Sequence, residues 1–232
     1  MTLSVSDTLG EIKKLINQHA WRDQPTYRAL MDEDVSIDQL QIFALQYGVF
    51  ALHNHNYHGR LYVTCPDAEW RTRIAEVVYE EGTGRLFADG VSHNELWLRF
   101  GESIGLTREA MWTARLCPGA LALRVYFEWI CGKTFLEGCA AHMLAGEAQV
   151  TGIFIRIAEN LKRLHGLSDE AVSFFTVHDV ADGDHSSVGV ELLGKFAPTE
   201  SDRRLVLKTV EDYLGIEDLM YRGIYEEMQK AA

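Results

Sequence analysis

Phe174-Phe-Thr-Val-His178-Asp-Val-Ala-Asp182-Gly-Asp-His185 is the stretch on which this chain turns. On a helix, positions i, i+4 and i+7 fall within about 60° of one another at 3.6 residues per turn. His178, Asp182 and His185 would therefore share one face. Two imidazoles and a carboxylate suit iron, manganese or zinc. A face rich in Asp and His is otherwise a solvated one. The metal reading requires matching ligands from other helices, and with them a multi-helix bundle whose interior holds the site.

Composition agrees with a helical chain. The 232 residues make one large domain, or two small ones at most, with 47% hydrophobic residues for a core and only four prolines. The net charge of −12, from 22 basic and 34 acidic residues, argues against nucleic acid or an anionic membrane as partner. Cys65, Cys117, Cys131 and Cys139 form no C-x-x-C pair and read as thiols of a reducing compartment. The first residues lack a basic region followed by an apolar run, and no stretch of 18 apolar residues occurs. The expected placement is cytoplasmic, with no membrane partner.

Outward from the quoted stretch, a helix is expected over 6–20 and a short one over 26–31. A longer one, capped by Ser36, is expected to run through Phe50 and His53 towards Leu61. His53-x-His55-x-x-His58 on it reads either as a metal cluster or as a polar helix face; no carboxylate accompanies it at i±4. The helix over about 67–82 places Trp70, Ile74, Val77 and Val78 on its apolar face, and Glu81 falls on that face too. A buried carboxylate needs a partner, which a cation, an arginine or a metal would supply. Glu80 points about 100° away and reads as solvated. His93 sits in the first turn of the next helix, where a loop–helix junction can aim a ligand inwards. Residues 120–144 read as one long, largely buried helix. Glu147 is the only acid in a mainly apolar run from about Cys139 to Ile157, which favours a ligand role. The last helices cover roughly 185–197 and 199–230.

The candidates are thus Glu81, His93, Glu147, His178, Asp182 and His185. Three carboxylates with three histidines are the inventory of a di-iron or di-manganese carboxylate site in a helical protein. Zinc catalytic sites use three ligands, usually richer in His, and a mononuclear facial triad needs only half of this set.

Seven stretches, in order along nearly the whole chain, carry a resemblance: Gln24-Pro-Thr-Tyr27, Phe43-Ala-Leu-Gln-Tyr47, Glu80-Glu81-Gly-Thr-Gly84, His93-Asn-Glu-Leu-Trp-Leu-Arg-Phe100, Phe135-Leu-Glu-Gly-Cys-Ala-Ala, Glu147-Ala-Gln, and the opening stretch. By these the chain resembles the heme-oxygenase-like di-iron oxidases. Within them it resembles the branch that includes pyrroloquinoline-quinone synthase (PqqC), the TenA proteins and the CADD-type 4-aminobenzoate synthases. The resemblance implies an all-α, heme-oxygenase-like (TenA/PqqC-like) bundle of seven to eight helices, forming a single domain over 1–232. It maps the six candidates onto the family's metal ligands. One iron takes Glu81, His93 and a C-terminal histidine, and the other takes Glu147, His178 and Asp182. It also implies two Fe(II) ions (with manganese as the alternative), O2 as co-substrate, an external electron donor and a homodimer as the default assembly.

The sequence departs from that pattern in places. The Glu81–His93 spacing is longer than in close relatives, which keeps Glu80 as an alternative ligand. Gln24-Pro25 stands where His-Pro is usual. Ile157 stands where the 4-aminobenzoate synthases carry a lysine, and Tyr27 matches their sacrificed tyrosine only loosely. The expected function is therefore oxidation of a small substrate, an amino acid or a related amine or carboxylic acid. N-oxygenation, desaturation, C–C cleavage and nitrile formation are the family's outcomes. Tyr126, Trp129 and Phe135, with Tyr27, are the candidate substrate walls. The competing reading is a TenA/PqqC-like metal-free enzyme, or a small-molecule-binding protein without oxygen chemistry.

Overall fold

The structure, a computed structural model, describes residues 3–146, 149–150, 152–181 and 185–231, without the side chains of 180–181 and 185–187. Its helices are α1 (Val5–Gln18), α2 (Pro25–Asp32), α3 (Ile37–Ala51), α4 (Asn54–Thr64), α5 (Ala68–Thr83), α6 (His93–Ser103), α7 (Arg108–Trp112), α8 (Pro118–Lys133), α9 (Phe135–Ala141), α10 (Ile153–His165), α11 (Ser173–Ala181), α12 (His185–Phe196) and α13 (Glu200–Lys230). No strand occurs among the described residues. The fold is all-α, as expected. None of the described helices is long and apolar enough to cross a membrane.

The 31-residue α13 is the spine. Thr199 starts it with a reciprocal cap, its hydroxyl accepting from Asp202 N–H while the Asp202 carboxylate accepts from Thr199 N–H. Val206, Val210, Tyr213, Leu214, Met220, Tyr221, Ile224 and Met228 are all buried along it. They recur at helical spacing and pack α13 against α8, α3, α9, α1 and α2. Gly119 marks the closest approach: a Cβ there would stand 2.2 Å from the Leu219 carbonyl oxygen.

Two long helices expected from the periodicity are each broken. The stretch from Ser36 towards Leu61 divides at Leu52–His53. His53 N–H donates to the Phe50 carbonyl, and the Tyr57 hydroxyl donates to the Val49 carbonyl at 2.8 Å. A side chain thus satisfies the acceptor that a continuing helix would have used, and the chain restarts at Asn54.

The stretch 120–144 divides at Thr134, whose backbone is extended (φ −140°, ψ 153°). Its hydroxyl accepts from Glu137 N–H and caps α9. The turn seats α9 tightly on α4, because a Cβ on Gly138 would lie 2.4 Å from Leu61. Nor is α8 buried all round. Ala120, Leu123, Phe127, Ile130 and Cys131 face the core, whereas Leu121, Val125 and Trp129, four residues apart, are exposed. A π-helical turn, His142–Gly146, follows α9.

Candidate metal centre

α5 and α6 lie side by side, joined by the loop that leaves α5 at Gly84. That glycine is left-handed (φ 61°), and its N–H donates to the Glu80 carbonyl. α11 packs against α6 and α10. The last turn of α5, the first turn of α6 and the middle of α11 therefore meet. There Glu81, His93 and His178 each offer a ligand atom, and these atoms all lie within 4.8 Å of one another. Glu81 and His93 are buried and His178 is half-buried.

The ring nitrogens are arranged for coordination. His178 Nδ1 donates to the Phe174 carbonyl at 2.7 Å, which leaves Nε2 as the nitrogen with a lone pair. His93 Nε2 lies 3.4 Å from Glu80 Oε1. His93 Nδ1 is buried and lies 3.3 Å from Glu81 Oε1, yet that approach is too poorly directed to be a hydrogen bond. A buried polar atom without a directed bond is costly, and a cation between His93 Nδ1 and Glu81 would satisfy both. A carboxylate on the far nitrogen of a ligating imidazole, here Glu80 on His93, is a common support for a metal site. Two imidazoles and a carboxylate, each neutral or anionic when ligating, fit iron, manganese or zinc.

Burial alone would raise the pKa of Glu81; His93, then His178 and His58, outweigh it and hold the carboxyl at about 2. Burial alone would lower His93; the carboxylates of Glu81 and Glu80 outweigh it and leave His93 raised. Protons and a metal compete for the same lone pair, and these anions favour either cation.

Glu80 is not solvated. It is 5% exposed, and its carboxylate accepts from Leu86 N–H at 2.6 Å and from Phe87 N–H at 3.0 Å. The sequence reading missed these bonds because the acceptor faces a loop, not a neighbouring helix. They occupy Glu80 and leave Glu81 to converge with the histidines. Glu81 and His93, expected on one iron, stand together, and His178, expected on the other, lies within reach of both. Glu147 and Asp182 lie outside the described residues, as does the side chain of His185, which opens α12. Because 182–184 are not described, the single helical face expected for 178, 182 and 185 is not traced.

Two further residues had no signal in the sequence. Asn54, in the first turn of α4, donates from Nδ2 to Glu81 Oε1 at 2.9 Å. Its Oδ1 faces His142 Nε2 at 2.7 Å. The His53/His55/His58 cluster disperses. His58 is fully buried with its ring 4.3 Å from that of His142, and His53 packs edge-on against Trp112.

A cavity of about 490 Å³ opens beside the triad. Its walls include Trp21, Tyr47, Phe50, Phe127, Phe154 and Phe174, with Glu81, His93 and His178 at one side. None of the expected substrate walls lines it. Tyr27 lies one layer behind, stacked on Trp21 at 5.0 Å and sharing a hydrogen bond with the Tyr221 hydroxyl. Tyr126 bonds its hydroxyl to the Thr209 carbonyl. Trp129 lies on the exposed stripe of α8 under the Lys133 ammonium. Phe135 packs on Trp70 and Phe196. For Tyr126, Trp129 and Phe135 the reason is shared: with α8 broken at Thr134 and its outer face exposed, apolar residues in 120–144 do not all point at the interior.

A family model described as iron-containing redox enzymes matches residues 41–216. The 4-aminobenzoate synthase of Nitrosomonas europaea is 26% identical over 208 residues, covering 85% of this chain and 82% of that protein. That of Chlamydia pneumoniae is 25% identical over 181 residues, covering 78% of each. Among solved structures, a TenA homologue from Pseudomonas syringae superposes with a TM-score of 0.76 at 12% identity over 97% of both chains. A CADD-like protein from Nostoc punctiforme gives 0.76 at 14% identity, over 96% of this chain and 97% of that one.

Proposed function

The chain belongs to the family of iron-containing redox enzymes, and we propose that within it the protein is a non-heme di-iron oxidase that uses O2 to oxidise a small amino acid, amine or carboxylic acid. The observation that carries this reading is the convergence of Glu81, His93 and His178 on one point in the wall of a cavity large enough for a substrate. Glu81, His93 and His178 would hold iron on that side, and Glu147, Asp182 and His185 are the proposed remaining ligands. When bound, iron would supply the reduction of dioxygen and the oxidising power towards the substrate, with electrons from an external donor. Glu80 and the Phe174 carbonyl fix the His93 and His178 rings, Asn54 fixes Glu81, and the aromatic walls exclude water from the reacting face.

Production of 4-aminobenzoate, the reaction named for the relatives, is not our reading. Ile157, where the resemblance expects a lysine, is fully buried in apolar core. A mononuclear reading has a specific observation in its favour, because two histidines and one carboxylate already make a complete facial set for a single Fe(II).

Anaerobic Fe(II) titration, with iron counted per chain, followed by mixing with O2 in a stopped-flow spectrometer decides between these readings. About two irons per chain and a transient visible band, both lost in His178→Ala, are expected. One iron per chain supports the mononuclear site. No iron, or no reaction with O2 with or without candidate substrates, returns the protein to the metal-free or binding-only alternatives.

A further inference from the structure

Leu121, Val125 and Trp129 stand four residues apart on α8, and each is at least half exposed, so they form one apolar stripe along two helical turns. Arg124 and Glu128 flank the stripe on the side of α4, where they line a groove with His53, Arg60 and Val63. Val63 is 80% exposed, and Trp112, also exposed, packs edge-on against His53. Single exposed apolar residues are ordinary, but five on adjoining helices mark an interaction surface.

The charges on this face say what covers it. Arg124 Nε donates to Glu128 Oε1 at 3.2 Å, and both side chains are well exposed, 40% and 45%. Such a pair contributes little within one chain and is free to exchange partners. Two copies of α8 laid antiparallel, with a two-fold axis beside Val125, bring Leu121 of each copy against Trp129 of the other. A two-fold axis of this kind sets each flank of the helix against its own equivalent, so Arg124 of each copy stands opposite Glu128 of the other. The stripe and its charges are thus both complementary to themselves. A net charge of −12 per chain opposes association in general, and these exchanged pairs place opposite charges where two acidic chains would meet. α8 spans 16 residues, about 24 Å. A stable dimer covers about 800 Å² on each partner, so α4 and α7 must join α8, and Val63 and Trp112 are what they supply. We infer that this α8 face, with its α4 and α7 flank, is the two-fold interface of a homodimer. The inference does not depend on the metal reading.

Sedimentation velocity of the full chain at micromolar concentration, with thermal melts alongside, reads the result. A dimer is expected. Val125→Arg, at an exposed position, should leave a folded monomer, whereas Val190→Glu, equally exposed on α12, should leave the dimer intact. Arg124→Glu sets like charges opposite each other and should raise the dissociation constant at least about tenfold. Adding Glu128→Arg restores opposite charges and should return it to within about threefold of the parent. Val125→Cys meets its own copy at the axis and should cross-link on oxidation, against a low background because all four native cysteines are buried. Leu121→Cys, about 12 Å from its counterpart along the helix axis, should not. A parent protein that stays monomeric overturns the inference, as does a dimer that survives Val125→Arg, or a charge swap no better than Arg124→Glu alone. Should Val125→Arg fail to fold, the charge swap and the cysteine cross-link still decide.

Discussion

Asn54 reaches Glu81 across 27 residues of sequence, its amide Nδ2 donating to Glu81 Oε1 at 2.9 Å. The same amide presents its oxygen to His142 Nε2 at 2.7 Å, so that nitrogen carries the proton. The carboxylate is thereby fixed through a second helix and a π-helical turn. Asn54→Leu is expected to weaken Fe(II) binding by about 10–100-fold, the usual effect of removing a partner of a ligand. Loss of fold stability should stay within about 2 kcal/mol. Fe(II) titration beside thermal melts separates the two; unchanged iron affinity would sink the assignment.

Glu80 and Glu81 are neighbours with different duties, and substitution should tell them apart. Glu81→Ala removes a ligand and should abolish binding at that position. Glu80→Ala should lower iron affinity by about tenfold through His93. It should also speed amide exchange at Leu86 and Phe87, whose N–H groups it now binds. Hydrogen exchange read residue by residue checks this. Slow exchange persisting at both amides would refute the role given to Glu80.

Glu217 gives the fold a pH dependence of its own. It is 1% exposed. Burial raises its carboxyl to about 8, against the opposing hydrogen bond from Tyr213, 2.5 Å away. A folded-state pKa above the unfolded value of 4.5 means that the native state holds the proton more tightly. The contribution is fully present below pH 4.5 and is lost as pH rises through about 8. Denaturation midpoints should therefore fall between pH 5 and 8.5 in the parent protein and fall less in Glu217→Gln. Identical slopes in both proteins would contradict this.

Gly84 ends α5 in a conformation other residues avoid, and a Cβ there would lie 1.9 Å from the Val91 carbonyl oxygen. Gly84→Ala should cost about 2–4 kcal/mol, from the left-handed backbone and the clash together. Because Glu80 and Glu81 lie in the same last turn, metal affinity should fall with it. Urea denaturation of the metal-free variant isolates the first effect, and a midpoint equal to the parent's would show that the loop adapts without strain.

Much of this architecture was legible from side-chain spacing. The caps at Ser36, Thr107 and Thr199 and the start of α6 at His93 follow from local chemistry, as does the buried face that carries Glu81. The break at Leu52–His53 does not, and the one at Thr134, though it carries a local Thr-x-x-Glu cap, lies inside an unbroken apolar run. The first depends on the Tyr57 hydroxyl reaching the Val49 carbonyl eight residues back, which helical periodicity does not mark, and the continuing apolar pattern masks the second. Glu80 and Asn54 were illegible for a related reason: their partners lie in a loop and on another helix, so periodicity within a helix carries no trace of them. The ordered ligand motifs pointed to Glu81, His93 and His178, which do converge, but the cavity beside them is walled by residues that no motif marked.

Glu81 and His93 are twelve positions apart, and the loop between them is folded back on the end of α5: Ala88 and Gly90 N–H both donate to the Gly84 carbonyl, and Val91 packs against the Gly84 backbone. α5 ends on its own left-handed glycine, and α6 starts where its own face packs on α3 and α5. A residue added to or lost from the tip around Leu86 and Phe87 would have to keep those bonds and still offer Glu80 two backbone N–H groups, so the length of this loop is tied to the carboxylate that supports His93.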